Sequence, residues 1–147
     1  MMNDEGGKTG SKRVYDLEER TARFGEEVVR FCKQLPVNPI TDPLIRQIVK
    51  SGTSVGANYC EADDAISGKE FRQKIGTCKK ESRETRHWLR MIAAAEPDHA
   101  PRARILWKEA QELLLIFAAI FRKLSTKNPP PQRRRPPRNP KQDPEGE

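Results

Sequence analysis

Apolar or small residues recur at alternating steps of four and three in four separate stretches of the chain. The first stretch is Leu17, Thr21, Phe24, Val28, Phe31, Leu35, and the second is Leu44, Ile48, Ser51, Val55, Asn58, Ala62. The third is Phe71, Ile75, Cys78, Ser82, Thr85, Leu89, Ile92, and the fourth is Leu106, Ala110, Leu113, Phe117, Ile120, Leu124. That step keeps one stripe facing the same neighbours turn after turn, as in the seam of a left-handed helical bundle. Strand periodicity occurs nowhere. The pattern predicts an all-α, antiparallel up-and-down four-helix bundle over about 14–126, with helices near 16–35, 43–65, 68–96 and 99–126.

The punctuation agrees. Asp16 and Glu19 have capping-box spacing, Leu35-Pro36 closes the first helix, and Asp42-Pro43 puts a capping side chain before a proline in the first helical position. Ser67 with Glu70 makes a second capping box beside Gly68, so the second helix is expected to end near Ala65. Pro97 stops the third helix, and Asp98 and Pro101 open the fourth.

Short connections force antiparallel neighbours, so residues that face across each hairpin should have a nearly constant sum of residue numbers. This predicts core layers of Phe31, Ile48, Thr85, Leu113, then Val28, Ser51, Ser82, Phe117, then Phe24, Val55, Cys78, Ile120. The small Ser51 and Ser82 make room for Phe117. On the flanks, Gly25 is expected beside Gly52, Glu61 opposite Lys74 and Ser54 opposite Glu81. The fourth helix has apolar residues to spare in Trp107, Leu114, Leu115, Ile116 and Phe121, so part of its outer surface is expected to meet another subunit.

Composition limits what lies outside the bundle. Residues 1–13 are polar and Gly-rich, and 127–147 are rich in proline and arginine; both are expected to be disordered, since neither buries enough to offset its ordering entropy. The formal net charge of +7 favours anionic partners, nucleic acid above all. Three widely spaced cysteines, Cys32, Cys60 and Cys78, and no apolar leader at the start imply reduced thiols in a cytoplasm. The longest apolar run, Leu113 to Phe121, is far short of the roughly 20 residues that span a bilayer, so no membrane segment is expected.

Candidate chemistry is sparse. His87 and His99 have no paired ligand one turn away, no CxxC occurs and no Gly-rich loop follows a strand, so neither a catalytic site, a metal nor a cofactor is expected. Glu61, Asp63 and Asp64 cluster at a helix end, where Lys69 and Arg72 explain them as ion pairs. Glu81 and Glu84, beside Lys80, read as a salt-bridge network rather than an acid and base couple. Basic residues dominate the third helix, and Lys79, Arg83, Arg86 and Arg90 share a face that could track phosphates. The plain alternative is a solvated flank, with Lys79 and Arg86 laid over Phe121 and Leu114 and Arg83 and Arg90 freer. The tail arginines Arg133, Arg134, Arg135 and Arg138 form either a basic arm for RNA or a solubilising end; no exposed aromatic is interleaved with them for base stacking.

The segments SGTSVGAN (51–58) followed by EA, SGKEF (67–71), KKESRETRHWL (79–89) and DLEERTARF (16–24) occur in fixed order. Together they resemble the bacterial four-helix bundle family that includes the proteins encoded in intervening sequences of 23S ribosomal RNA. The resemblance implies an up-and-down bundle assembled as a homopentamer. It also implies similarity to the accessory protein of diversity-generating retroelements, which binds nucleic acid and a reverse transcriptase through a basic surface. Ser51, Ser54, Asn58 and Glu61, with Lys80, Glu81, Glu84 and Trp88, match the family pattern and carry no catalytic role there; with Lys74 they are expected to form a structural polar network. The Pro/Arg tail and Gly25 depart from that pattern. Two functions follow as expectations: a non-enzymatic oligomer associated with RNA or DNA through the third helix and the tail, or an adaptor ring that docks a protein such as a nucleic-acid enzyme.

Overall fold

The computed structural model describes residues 16–127. Its four α-helices are α1 (Leu17–Lys33), α2 (Thr41–Asp63), α3 (Gly68–Ala95) and α4 (Ala100–Lys127), with a 3-10 turn at Pro97–His99 before α4. No strand occurs among the described residues. Each helix packs on the next in sequence, and α1 meets α4 only sparsely, so the bundle closes weakly along that seam.

Two of the expected caps differ. Asp16 makes no side-chain cap. At the start of α2 the capping side chain is Asn38, whose Oδ1 accepts from the Ile40 and Thr41 amides, while the Thr41 hydroxyl donates to the Pro36 carbonyl. Asp42 lies inside the helix and pairs with Arg46 one turn on. A side chain three residues upstream can reach the free first-turn amides, and Asp42 sits too late to do so. The Ser67 cap is present: its Oγ accepts from the Glu70 amide at 3.1 Å, and the Glu70 carboxylate returns to the Ile66 amide.

The core follows the four stripes. Phe24, Val28, Phe31, Ile48, Val55, Ile75, Cys78, Leu89, Ile92, Leu106, Leu113 and Phe117 are buried, as are Ser51, Ser82 and Thr85. Ser51 and Thr85 satisfy each other across α2 and α3, with hydroxyl oxygens 2.9 Å apart. The hairpin registers hold as well. A Cβ on Gly25 would lie 3.5 Å from the Gly52 carbonyl oxygen, Lys74 pairs with Glu61 across α2 and α3, and Gly76 lies against Phe121 across α3 and α4.

Closure of the ring does not follow the expected layers. The expected layers put Phe31 opposite Leu113, but its ring meets His99 edge-on at 6.4 Å. Arg20 reaches Glu109 and Glu112, and Arg102 reaches Glu27. Relative to α1, α4 is therefore displaced by three to four turns, roughly 20 Å at the α-helical rise. No loop joins α1 to α4, so no hairpin fixes their register. Phe117 accordingly pairs with Tyr59 of α2 at 6.0 Å, and the methyls of Val28 fill the space over Gly52. Ile120 and Leu124, beyond the reach of α1, are only half buried.

The surplus of α4 is smaller than expected. Leu114 is buried, because it lies on the flank turned toward α3. Leu115 and Ile105 are the large apolar side chains of α4 that stay exposed, at 57% and 56%.

Candidate nucleic-acid interface

Helix α3 carries the basic surface, and its cations fall into two groups. Some are occupied. Lys74 is bound to Glu61, which holds its ammonium pKa above the ordinary lysine range. Arg72 and Lys79 lie over the Phe121 ring at 4.4 and 5.4 Å, and Arg86 lies over Trp107 at 5.3 Å while donating to Gln111. These stems cover apolar surface between the helices, and the rings attract their charges. Arg83 and Arg90 are exposed and make no ion pair among the described residues.

Arg83, Arg86 and Arg90 line one cleft of about 680 Å³ together with His87, Trp88 and Trp107. His87 and Trp88 are in edge contact at 4.9 Å. Glu84 also lines the cleft, as the one acidic group in its wall. Beside it, Arg90 and Trp107 rim a second, smaller notch of about 200 Å³ between α3 and α4, together with Arg104, Leu89, Ala93, Ala100 and Ala103. Lys79 lies apart from the cleft, toward Phe121. Arg133, Arg134, Arg135 and Arg138 fall outside the described residues.

The polar positions of α2 and α3 form separate contacts rather than one network. Ser51 bonds Thr85, and Glu61 bonds Lys74. Ser54 donates to the Lys50 carbonyl of its own helix, not to Glu81, and Asn58 donates to the Ser54 carbonyl. Ser54 and Asn58 find a carbonyl one turn back within α2. Glu81 is pushed above the ordinary glutamate range, chiefly by burial and then by Glu84, with Lys80 and Lys50 opposing. Lys80 and Glu84 are exposed, and Trp88 is half buried against the core.

Among the described residues no three His, Cys, Asp or Glu side chains converge as metal ligands, and Glu61 is held by Lys74 rather than by Lys69. Burial pushes the thiols of Cys32 and Cys78 up to about 11 and about 12, so both stay protonated. No helix among the described residues is long and apolar enough to cross a membrane.

A model of the family described as 23S rRNA-intervening sequence protein matches residues 14–118. The chain belongs to that family. The crystal structure of a protein with unknown function from the S23 ribosomal protein family of Bacteroides thetaiotaomicron VPI-5482, at 1.70 Å resolution, is similar in fold, with a TM-score of 0.62. It is 26% identical, and the match covers 71% of this chain and 96% of that one. No curated protein matches.

In this member of the 23S rRNA-intervening sequence protein family, Arg83, Arg86 and Arg90 share a cleft with Trp88 and Trp107, which the sequence pattern names without placing them beside the arginines. Trp107 and Arg104 lie on α4, so no spacing within α3 points to them. The signal was present in the α3 and α4 pairing, which brings Trp107 level with Arg90 once the register is carried to the end of the hairpin.

Proposed function

We propose that the protein is a non-enzymatic bundle that associates with nucleic acid, binding phosphates through the α3 cleft with help from the tail arginines. The observation that carries this reading is that Arg83 and Arg90 stand exposed, without ion pairs among the described residues, in one cleft with two tryptophans and a histidine. Cations whose charge is already matched within the fold contribute little to a ligand, and these two are not matched. RNA is the preferred nucleic acid because the family is named for an intervening sequence of 23S rRNA. Three free cysteines support a reducing, cytoplasmic setting.

The test is RNA binding measured across salt concentrations. Affinity is expected to fall steeply with salt, and the double variant Arg83→Gln, Arg90→Gln is expected to flatten the slope of log affinity against log salt by about 1.4 for a single strand. Salt-insensitive binding, or a variant with an unchanged slope, would count against the reading.

A second reading, a homo-oligomeric adaptor ring that docks a protein, draws on exposed Leu115 and Ile105 of α4. The pentamer implied by the resemblance would give those side chains a partner and repeat the basic cleft around an axis. Light scattering at micromolar concentration is expected to show an oligomer, and a monomer would remove this reading.

A further inference from the structure

The notch between α3 and α4 has a chemistry of its own. Its floor is Leu89, Ala93, Ala100 and Ala103, its side wall is Trp107, and its rim holds Arg90 and Arg104, both exposed and unpaired among the described residues. The gap exists because three alanines stand where the two helices meet beside an indole they cannot cover. Arg86 lies over that indole and helps to hold it in place. At about 200 Å³ the notch is smaller than the roughly 300–1,000 Å³ of pockets for drug-sized ligands, so it suits one flat ring rather than a base pair.

Resting on the phosphate-binding reading above, the geometry points to an unpaired nucleotide as the occupant of this notch, its base against Trp107 and the alanines and its phosphates on Arg90 and Arg104. Two observations favour a single strand over a duplex. A duplex keeps its bases stacked inside and offers this surface only phosphates, whereas a single strand can splay a base onto an aromatic side chain. An apolar floor under a cationic rim also matches a nucleotide's two halves, and a lone anion would leave the floor unused.

The experiment uses the full chain and two labelled probes of equal phosphate number, a short unstructured RNA strand and a blunt RNA duplex, read by fluorescence anisotropy at low salt. The strand is expected to bind about tenfold tighter than the duplex, the scale of one base stacked on an aromatic ring. Ala93→Leu fills the notch without altering any charge and is expected to abolish that preference while leaving duplex binding in place. Thermal unfolding by circular dichroism checks that the variant folds. Quenching of Trp107 by the strand, in a Trp88→Phe background, gives a readout that needs no disruptive substitution. If strand and duplex bind equally and Ala93→Leu changes nothing, the notch proposal falls and the phosphate reading stands. If neither probe binds, both fall.

Discussion

Between α1 and α2 the contact is backbone against backbone, whereas between α3 and α4 long cations lie across aromatic rings. Gly52 and Gly56 let the first pair of helices approach until a Cβ on Gly52 would lie 2.9 Å from a Val28 methyl and one on Gly56 3.3 Å from the Thr21 backbone. The second pair is bridged by Arg72 and Lys79 over Phe121 and by Arg86 over Trp107. The first arrangement brings the two backbones together at Gly52 and Gly56. The second fixes its rings with some cations and leaves Arg83, Arg90 and Arg104 at the surface without ion pairs among the described residues. The two hairpins thus divide by the kind of contact that joins them, and the division can be broken at either end.

The largest effect is expected at Gly52. Val28 is fully buried and β-branched, so it has no rotamer into which to retreat. Gly52→Val should cost about 3 kcal/mol through overpacking, measured as a shift in the urea midpoint at unchanged m-value. A loss below about 1 kcal/mol would mean that the close approach does not hold the hairpin. On the other hairpin, Arg86→Gln removes the cation over Trp107 and should cost only about 1 kcal/mol, since the pair is partly solvated. A cost equal to that of Gly52→Val would erase the contrast. Gly25 tests the same contrast with the opposite sign. A Cβ there makes only ordinary contact at 3.5 Å, so Gly25→Ala should stabilise by about 0.5 to 1 kcal/mol through helix propensity, raising the midpoint.

The same division explains what could be read from the sequence. The stripes located the helices and core because burial imposes its period on every turn, and the hairpin registers followed because short loops leave no freedom to slide. Gly25 beside Gly52 and Lys74 on Glu61 are consequences of that rule. The rule has no hold on α1 against α4, where Arg20 meets Glu109 and Phe31 meets His99. No short loop joins that pair of helices, so the pattern holds nothing that fixes how far one slides along the other. The arginines of the candidate site were visible because they share one helix. Trp107 and Arg104 were not, because their role depends on the gap left by alanines on two helices.

The smallest effect concerns the charge balance of α3 itself. Glu81 is half buried beside Glu84, and its carboxyl is pushed above the ordinary range by burial first and by Glu84 second, against the pull of Lys80 and Lys50. A carboxyl whose folded pKa is raised favours the protonated fold. Its contribution is fully present below the unfolded pKa, near about 4.3, and is lost as pH rises through the folded value. At neutral pH the native chain therefore carries an unfavourable charge at this position, and Glu81→Gln should stabilise it by a few tenths of a kcal/mol once solvent screening is allowed for. The gain should vanish near pH 3, where both side chains are neutral. Paired denaturation curves at the two pH values check the sign. A variant less stable than the native chain at pH 7 would show that Lys80 and Lys50 outweigh burial, and that the polar face of α3 contributes to holding the fold as well as to presenting charge.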